Sequence, residues 1–147
     1  MALTFVLKWN TSSFESKYSV YSSPYICFDE KHYQYGYEPF ITYFQNGADT
    51  NYRVTYNSIG LRGKVLSKKK ENNEYRIAIL GDSFIEGYGA GEDSTIPMLL
   101  EKKLQQNNFK VNTINAGICG SNPLHQIKLY QNVIQKYQPD LVIMTSN

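Results

Sequence analysis

Apolar positions in the second half of the chain alternate between continuous runs and helical spacing. Continuous runs over residues 76–80 and 141–144 predict strands that are buried on both faces, and residues 111–115 predict another strand between them. Apolar residues recur at helical spacing within residues 94–107 and 123–137, which predicts two helices. The order strand, helix, strand, helix, strand predicts an α/β fold with a flavodoxin-like parallel sheet and right-handed crossovers.

The first half of the chain has a different pattern, in which aromatic residues dominate. Residues 1–66 contain nine of the thirteen tyrosines and five of the seven phenylalanines. Alternation over residues 52–56 and an aromatic run over residues 40–44 predict short strands. Turn signals separate these runs, at Ser22-Ser23-Pro24, Tyr35-Gly36, Asn46-Gly47 and residues 58–63.

A charged stretch divides the two halves. Residues 67–73 read SKKKENN and contain no apolar side chain, so we expect a solvated linker or surface loop. The chain then has three parts, namely an aromatic-rich β or irregular segment over residues 1–66, a linker over 67–74 and an α/β domain over 75–147. The α/β part is short for such a fold and stops as its third strand ends, so we expect a fragment of a longer domain.

Composition and charge exclude several classes of function. The chain has 147 residues, of which 41% are apolar and 19% charged, as in a folded globular domain and unlike a disordered one. A net charge of +2 gives no reason to expect a nucleic acid or an anionic membrane as partner. No apolar run is long enough to cross a bilayer. Residues 1–9 lack the basic start and the cleavage site of a signal peptide, which favours a cytoplasmic location.

Cysteine and histidine are scarce. Two cysteines, Cys27 and Cys119, rule out a disulfide scaffold and a four-cysteine zinc site. Two histidines, His32 and His125, leave little material for a metal centre, so we expect no metal.

Three short polar segments follow directly after the three predicted strands. They are Gly81-Asp82-Ser83-Phe84, residues 115–120 (NAGICG) and Thr145-Ser146-Asn147. Parallel strands bring their carboxyl ends to one edge of a sheet, which is where open α/β sheets bind ligands. The three segments supply a hydroxyl, glycine-rich backbone N–H groups and a side-chain amide at that edge.

These groups are the ones that acyl transfer requires. A hydroxyl held in a tight turn, here that of Ser83, can attack an acyl carbonyl. The N–H groups of Ser83 and Gly120 and the side-chain amide of Asn147 are then candidate donors to the oxygen of the tetrahedral intermediate. Each such donor lowers the barrier by about 2.7–4 kcal/mol in comparable sites.

On these segments, residues 76–147 resemble the first part of an SGNH/GDSL-family hydrolase domain. The first segment resembles the family's first block, with Ser83 at the nucleophile position. The second segment resembles the second block, with Gly120 at the oxyanion-hole glycine. The third resembles the third block, with Asn147 at the oxyanion-hole asparagine, although Thr145 stands where glycine is common. Residues 57–63 (NSIGLRG) are similar to a stretch that precedes the first block in some bacterial members.

The resemblance implies a serine ester hydrolase of the esterase, lipase or acetylesterase type. Its substrate would be a small acylated compound, such as a short ester or an O-acetylated carbohydrate, and it would use neither a metal nor an organic cofactor. The family's catalytic Asp and His lie in a later Asp-x-x-His block, whereas nothing follows Asn147 here, and His125 lacks that context. Because loss of the histidine slows a comparable serine enzyme about 10⁶-fold, we expect this chain alone to be weakly active.

Two other functions stay open. The chain could be a non-catalytic ligand-binding module or truncated pseudoenzyme of the same fold, or it could hold a nucleotide or flavin as flavodoxin-type sheets do. Residues 87–91 (GYGAG) do not encourage the latter, because they begin too far from the strand for a dinucleotide fingerprint and lack the P-loop lysine. We interpret them as a flexible loop that borders the site.

Each candidate residue also has a purely structural interpretation. Ser83 could cap a helix, Asp82 is expected to be a turn residue, and Gly117 and Gly120 could be ordinary turn glycines. Tyrosines of the first half could stack on sugars, but we favour the simpler interpretation that they pack this segment against the main sheet.

Overall fold

The structure, a computed structural model, describes residues 26–29, 34–46 and 51–145. Predictions about Ser22-Ser23-Pro24, His32, Gly47 and Asn147 lie outside these residues. The described part begins with two antiparallel strand pairs, in which β1 (Ile26–Asp29) pairs with β2 (Gln34–Tyr37) and β3 (Thr42–Asn46) pairs with β4 (Asn51–Thr55).

The two aromatic runs of the first half correspond to β3 and β4, shifted by one or two residues. The turn expected at Tyr35-Gly36 is wrong, because both residues lie inside β2. There Gly36 pairs with Cys27 across the ladder, so cross-strand pairing overrides the local preference of glycine for turns.

A three-stranded parallel sheet forms the second half and confirms the predicted α/β class. Its strands are β5 (Tyr75–Gly81), β6 (Val111–Gly117) and β7 (Leu141–Met144), in the order β6-β5-β7. The first strand therefore lies in the middle, as in flavodoxin-like sheets. β5 is buried from its second residue onward.

β7 differs from its prediction, because it is only half buried. Leu141 and Met144 expose 42% and 44% of their surface, whereas Val142 and Ile143 are partly buried. An apolar run predicts a strand but does not specify its place in the sheet, and β7 lies at an edge.

Within the described residues three α-helices accompany the sheet, namely α1 (Ser83–Glu86), α2 (Ile96–Gln106) and α3 (Pro123–Asn132). Pro97 lies in the first turn of α2, as its fixed φ favours. The single helix predicted over residues 123–137 is wrong in its last third, since α3 stops at Asn132 and a separate 3₁₀ turn covers Ile134–Tyr137. The break falls at the β-branched pair Val133 and Ile134, whose side chains lose χ1 freedom in a helix.

Side chains from both halves pack into one core. Ala78 and Leu80 of β5 face a cluster that includes Tyr37, Val54 and Tyr56 from the first half. On the other face of the sheet, Ile77 and Ile79 pack with Ile85, Val111, Leu100 and Leu104. The division of the chain at residues 66 and 74 remains a prediction, but the core contains side chains from both sides of it.

The segment between the halves is fastened to the sheet by Arg76. This side chain is buried, and its guanidinium donates to the carbonyl oxygens of Ser67 and Lys69 and to the carboxylate of Glu74. It also donates to the carbonyl of Tyr137 at the end of the 3₁₀ turn.

None of the helices in the described ranges has the length and apolar character that crossing a membrane requires.

Candidate functional site

The carboxyl ends of the three parallel strands meet at one edge of the sheet, as the sequence predicts. Gly81 at the end of β5 is paired with Gly117 at the end of β6. The carbonyl of Gly81 accepts the Ile118 N–H at 3.0 Å, and the carbonyl of Leu80 accepts the Thr145 N–H at 3.0 Å. All three polar segments therefore begin side by side at this edge.

Ser83 is the first residue of α1, two positions after β5 ends. The N-cap of α1 is Asp82, whose Oδ1 accepts the Phe84 N–H at 3.0 Å. Capping is therefore done by Asp82 rather than by Ser83. Within the described ranges, no side chain is hydrogen-bonded to the Ser83 hydroxyl, so the structure assigns it no general base.

The turn before Ser83 requires glycine at position 81. A Cβ on Gly81 would lie 2.3 Å from Cγ1 of Ile85 and 2.4 Å from Oγ1 of Thr145. Both distances are far inside van der Waals contact. A side chain at position 81 would therefore displace Ile85 of α1 and Thr145, the residue that follows β7.

Gly120 lies in a tight turn after β6. The Ser121 N–H donates to the Ile118 carbonyl at 3.0 Å, and the φ of Gly120 is +73°. A positive φ at the third residue, with none at Cys119, defines a type II turn, in which glycine is strongly preferred. The Ser121 hydroxyl donates to the Gly81 carbonyl at 2.7 Å and so fastens this turn to the strand that leads to Ser83.

A buried carboxylate, Glu86, lies behind both turns and was not expected from the sequence. Glu86 ends α1 and is 4% exposed. Its Oε2 accepts the Tyr37 hydroxyl at 2.8 Å and the Cys119 N–H at 2.6 Å, and its Oε1 accepts the Tyr56 hydroxyl at 2.7 Å. The rings of Tyr37 and Tyr56 are stacked, with centroids 4.0 Å apart.

Charge at this cluster is set by burial and by the hydrogen bonds. Burial raises the pKa of Glu86, while the hydroxyl groups of Tyr56 and Tyr37 and the Cys119 N–H oppose that rise by stabilising the carboxylate. Burial and the nearby Glu86 charge raise the pKa of both tyrosines, which therefore remain hydrogen-bond donors. Burial, with the charges of Glu86 and Asp82, also raises the pKa of the Cys119 thiol, which disfavours a reactive thiolate there.

The loop that follows α1 is held by residues of the first half. Arg62 is 2% exposed and donates to the carbonyl oxygens of Glu86, Gly87 and Ala90. The Gly89 N–H donates to the hydroxyl of Tyr52 at 2.7 Å. The backbone of residues 87–91 is thus hydrogen-bonded at several positions, and its flexibility stays a prediction.

The remaining candidates are placed as follows. His125 lies in the first turn of α3, where its backbone N–H donates to Oδ1 of the N-cap Asn122 at 3.0 Å. Cys119 is partly buried and forms no disulfide. In the part of the chain that the structure describes, no three His, Cys, Asp or Glu side chains are grouped as a metal ion would require. Asn147 is outside that part, so its assignment stays a prediction.

Sequence reasoning missed Glu86 for a simple reason. Its two tyrosine partners lie 49 and 30 residues away along the chain, so no local pattern connects them. The one local signal is that Glu86 follows the apolar pair Phe84-Ile85, close to the nucleophile candidate. That signal does not show whether the carboxylate is buried, which only the fold reveals.

Neither a family model nor a curated protein matches the chain. Among solved structures, the esterase AlinE4, described as an SGNH-hydrolase family esterase, matches with 26% identity over 51% of this chain and 41% of its own, at a TM-score of 0.45. A mutant of the same esterase matches with 22% identity over 52% of this chain and 42% of its own, at a TM-score of 0.46. The chain spans about two fifths of the length of these esterases. At such low TM-scores the likeness by itself fixes neither fold nor activity.

Proposed function

We propose that this chain carries the nucleophile and the oxyanion-binding turn of a serine ester hydrolase. The observation that supports this most is that the Ser83 turn and the Gly120 turn lie at one sheet edge and are joined by the Ser121–Gly81 hydrogen bond of 2.7 Å. A hydroxyl and a backbone donor so placed can act on the same acyl group. The substrate class is a small acylated compound.

The chemistry would proceed in two steps. Oγ of Ser83 attacks the acyl carbonyl carbon, its proton passes to a base, and the N–H groups of Ser83 and Gly120, with the Asn147 amide, stabilise the oxyanion. The alcohol leaves with a proton, and water then releases the acid from Ser83 by the same route. The base is unassigned among the described residues, and the reaction requires no cofactor.

A fluorophosphonate probe tests this function directly. Oγ of Ser83 displaces fluoride from the probe and forms a phosphonate ester, while added imidazole accepts the proton and substitutes for a neighbouring base. We expect mass spectrometry to find one adduct, at Ser83, whose rate of formation increases with imidazole concentration. Ser83→Ala should abolish the adduct.

Ser94→Ala is the matched control, because Ser94 is an exposed serine in the 3₁₀ turn Glu92–Ser94. It should be labelled as the wild-type chain is. Labelling of Ser83→Ala at the wild-type rate, or no adduct at any imidazole concentration, would overturn the proposal and favour a binding module without catalytic activity.

A further inference from the structure

The Cys119 N–H is the link between Glu86 and the turn that contains Gly120. It donates to Oε2 of Glu86 at 2.6 Å, a short bond of the charge-assisted kind. The next peptide along the chain, between Cys119 and Gly120, carries the N–H that the proposed function assigns to the oxyanion. Glu86 therefore holds the residue immediately before this donor.

The direction of that donor depends on the type of turn. Type I and type II turns have similar ends, but their central peptide is rotated by about half a turn relative to each other. In the turn Ile118–Ser121 this central peptide is the one that carries the Gly120 N–H. The hydrogen bond from the Ser121 N–H fixes the ends of the turn but is compatible with both orientations of the central peptide. A further contact to the turn can stabilise one orientation over the other.

Glu86 is itself held from several sides. Tyr37 and Tyr56 donate to its two carboxylate oxygens, and Arg62 donates to its backbone carbonyl at 3.3 Å. Asn115 of β6 adds a second bond to the same carbonyl, from Nδ2 at 3.3 Å. Both the side chain and the backbone of Glu86 are therefore fixed, in part by residues of the first half. The position of those residues thus determines where the carboxylate meets the Cys119 N–H.

We propose that Glu86 is a positioning residue, which holds the Cys119–Gly120 turn so that the Gly120 N–H faces the oxyanion, and that Tyr37 and Tyr56 set the position of its carboxylate. This inference rests on the proposed function of Ser83 and Gly120. It gives the aromatic first half a role in the reaction, because its hydroxyl groups stabilise the group that aligns the donor.

Glu86→Met tests the inference, because methionine has a similar length and offers no carboxylate acceptor. We expect the Cys119 amide hydrogen to exchange faster with solvent by NMR. In imidazole-assisted labelling of Ser83, the maximal rate should fall about 10²-fold or more, as when an oxyanion donor is lost, while the half-saturating probe concentration changes little. Glu86→Gln keeps one acceptor oxygen and should recover part of the rate.

Glu101→Met is the matched control. Glu101 is also 4% exposed, and its Oε2 accepts the Thr113 N–H at 2.5 Å, between α2 and β6 and away from the turn. This variant loses a comparable buried carboxylate, so it should lose stability but keep the wild-type maximal rate. A merely structural role for Glu86 would make the two variants alike.

The outcomes separate the inference from the function it rests on. If Ser83→Ala abolishes labelling but folded Glu86→Met labels at the wild-type maximal rate, or keeps slow exchange at Cys119, the positioning role is wrong and the esterase proposal stands. If wild-type labelling does not depend on Ser83, the function itself fails. Should Glu86→Met not fold, Glu86→Gln replaces it, and wild-type values for both its exchange and its rate would overturn the inference.

Discussion

At the scale of single residues, Gly117 shows how closely the backbone of α1 approaches β6. A Cβ at position 117 would lie 2.1 Å from the Glu86 nitrogen and 2.6 Å from the Ile85 carbonyl carbon. These are backbone atoms, which cannot rotate away as a side chain can. The alternative that Gly117 is an ordinary turn glycine does not hold, because Gly117 is the last residue of β6 and allows close packing.

Gly117→Ala should therefore destabilise the fold markedly. We expect a loss of about 1–3 kcal/mol in the free energy of unfolding, the usual cost of overpacking, with a value near the upper end because backbone must shift. Urea denaturation measures this. Gly91→Ala is the control, since a Cβ added there would meet no atom within 4 Å and the φ of Gly91 is −62°. Equal stability of the two variants would contradict the close approach.

Residue-level prediction from the sequence succeeded where a residue's place depends on its own strand. Ser83 and Gly120 were singled out because each lies in a segment that follows a predicted strand and resembles a family block. The structure places both turns at the same sheet edge, while the roles of the two residues stay predictions. Glu86 and Arg62 were not foreseen, since their burial depends on partners far along the chain.

At the scale of elements, the turn over residues 57–63 positions Arg62. Oδ1 of Asn57 accepts the N–H groups of Ile59 and Leu61, and its Nδ2 donates to the carbonyls of Gly63 and Lys64. One side chain thus stabilises the whole turn, which is where the sequence predicted a turn.

Asn57→Ala should weaken this turn and loosen the contact between Arg62 and the loop after α1. Loss of the side chain leaves part-buried N–H groups without acceptors, which should cost about 1–3 kcal/mol of unfolding free energy. Thermal unfolding and amide exchange at Leu61 measure the effect. Asn72→Ala, at an exposed position, should change stability by less than about 0.5 kcal/mol. Wild-type exchange at Leu61 in Asn57→Ala would argue against this role.

Strands and helices of the second half were largely predictable, most clearly β5, whose apolar run is buried from its second residue onward. The spacing of apolar residues predicts α2 but not its burial, since Ile96 and Leu99 are 50% and 52% exposed. What the pattern did not supply is the position of an element among its neighbours. An apolar run such as that of β7 looks the same at an edge as in the middle of a sheet. The apolar pattern likewise did not show the early end of α3, which falls just before the β-branched residues Val133 and Ile134.

At the scale of the whole molecule, Glu74 and Arg76 hold distant segments together at the opposite end of the sheet from Ser83. Oε1 of Glu74 accepts Nε of Arg76 at 2.6 Å and Nδ2 of Asn112 at 2.8 Å, and both charged side chains are 2% exposed. The hydrogen bonds from Arg76 lower the pKa of Glu74 from 4.5 to about 2.

This shift predicts how stability depends on pH. The pKa of Glu74 is lower in the folded chain than in the unfolded chain. Its contribution to the free energy of unfolding is therefore fully present above about pH 4.5 and is lost as the pH falls towards 2. Glu74→Gln should therefore be less stable than the wild type at neutral pH, and the difference should shrink on acidification. Urea denaturation between pH 7 and pH 2 measures it.

Glu71→Gln is the control for this series, because the Glu71 side chain is 75% exposed and its ion pair with Lys110 lies at the surface. Its stability should follow the wild-type curve. A constant difference between Glu74→Gln and the wild type over the whole pH range would contradict the assigned cause.

The hydrogen bonds that Tyr37, Tyr52, Tyr56 and Arg62 form with the residues around α1 have a practical consequence for dissecting the chain. A boundary drawn at the charged stretch looks natural in the sequence, and an expression clone beginning at residue 75 would retain every residue of the three polar segments. Such a clone would nevertheless expose the carboxylate of Glu86 to water. It would also lack Arg62, so three carbonyl groups in and after α1 would lose their hydrogen-bond donor. The smallest piece worth producing therefore begins ahead of Tyr37.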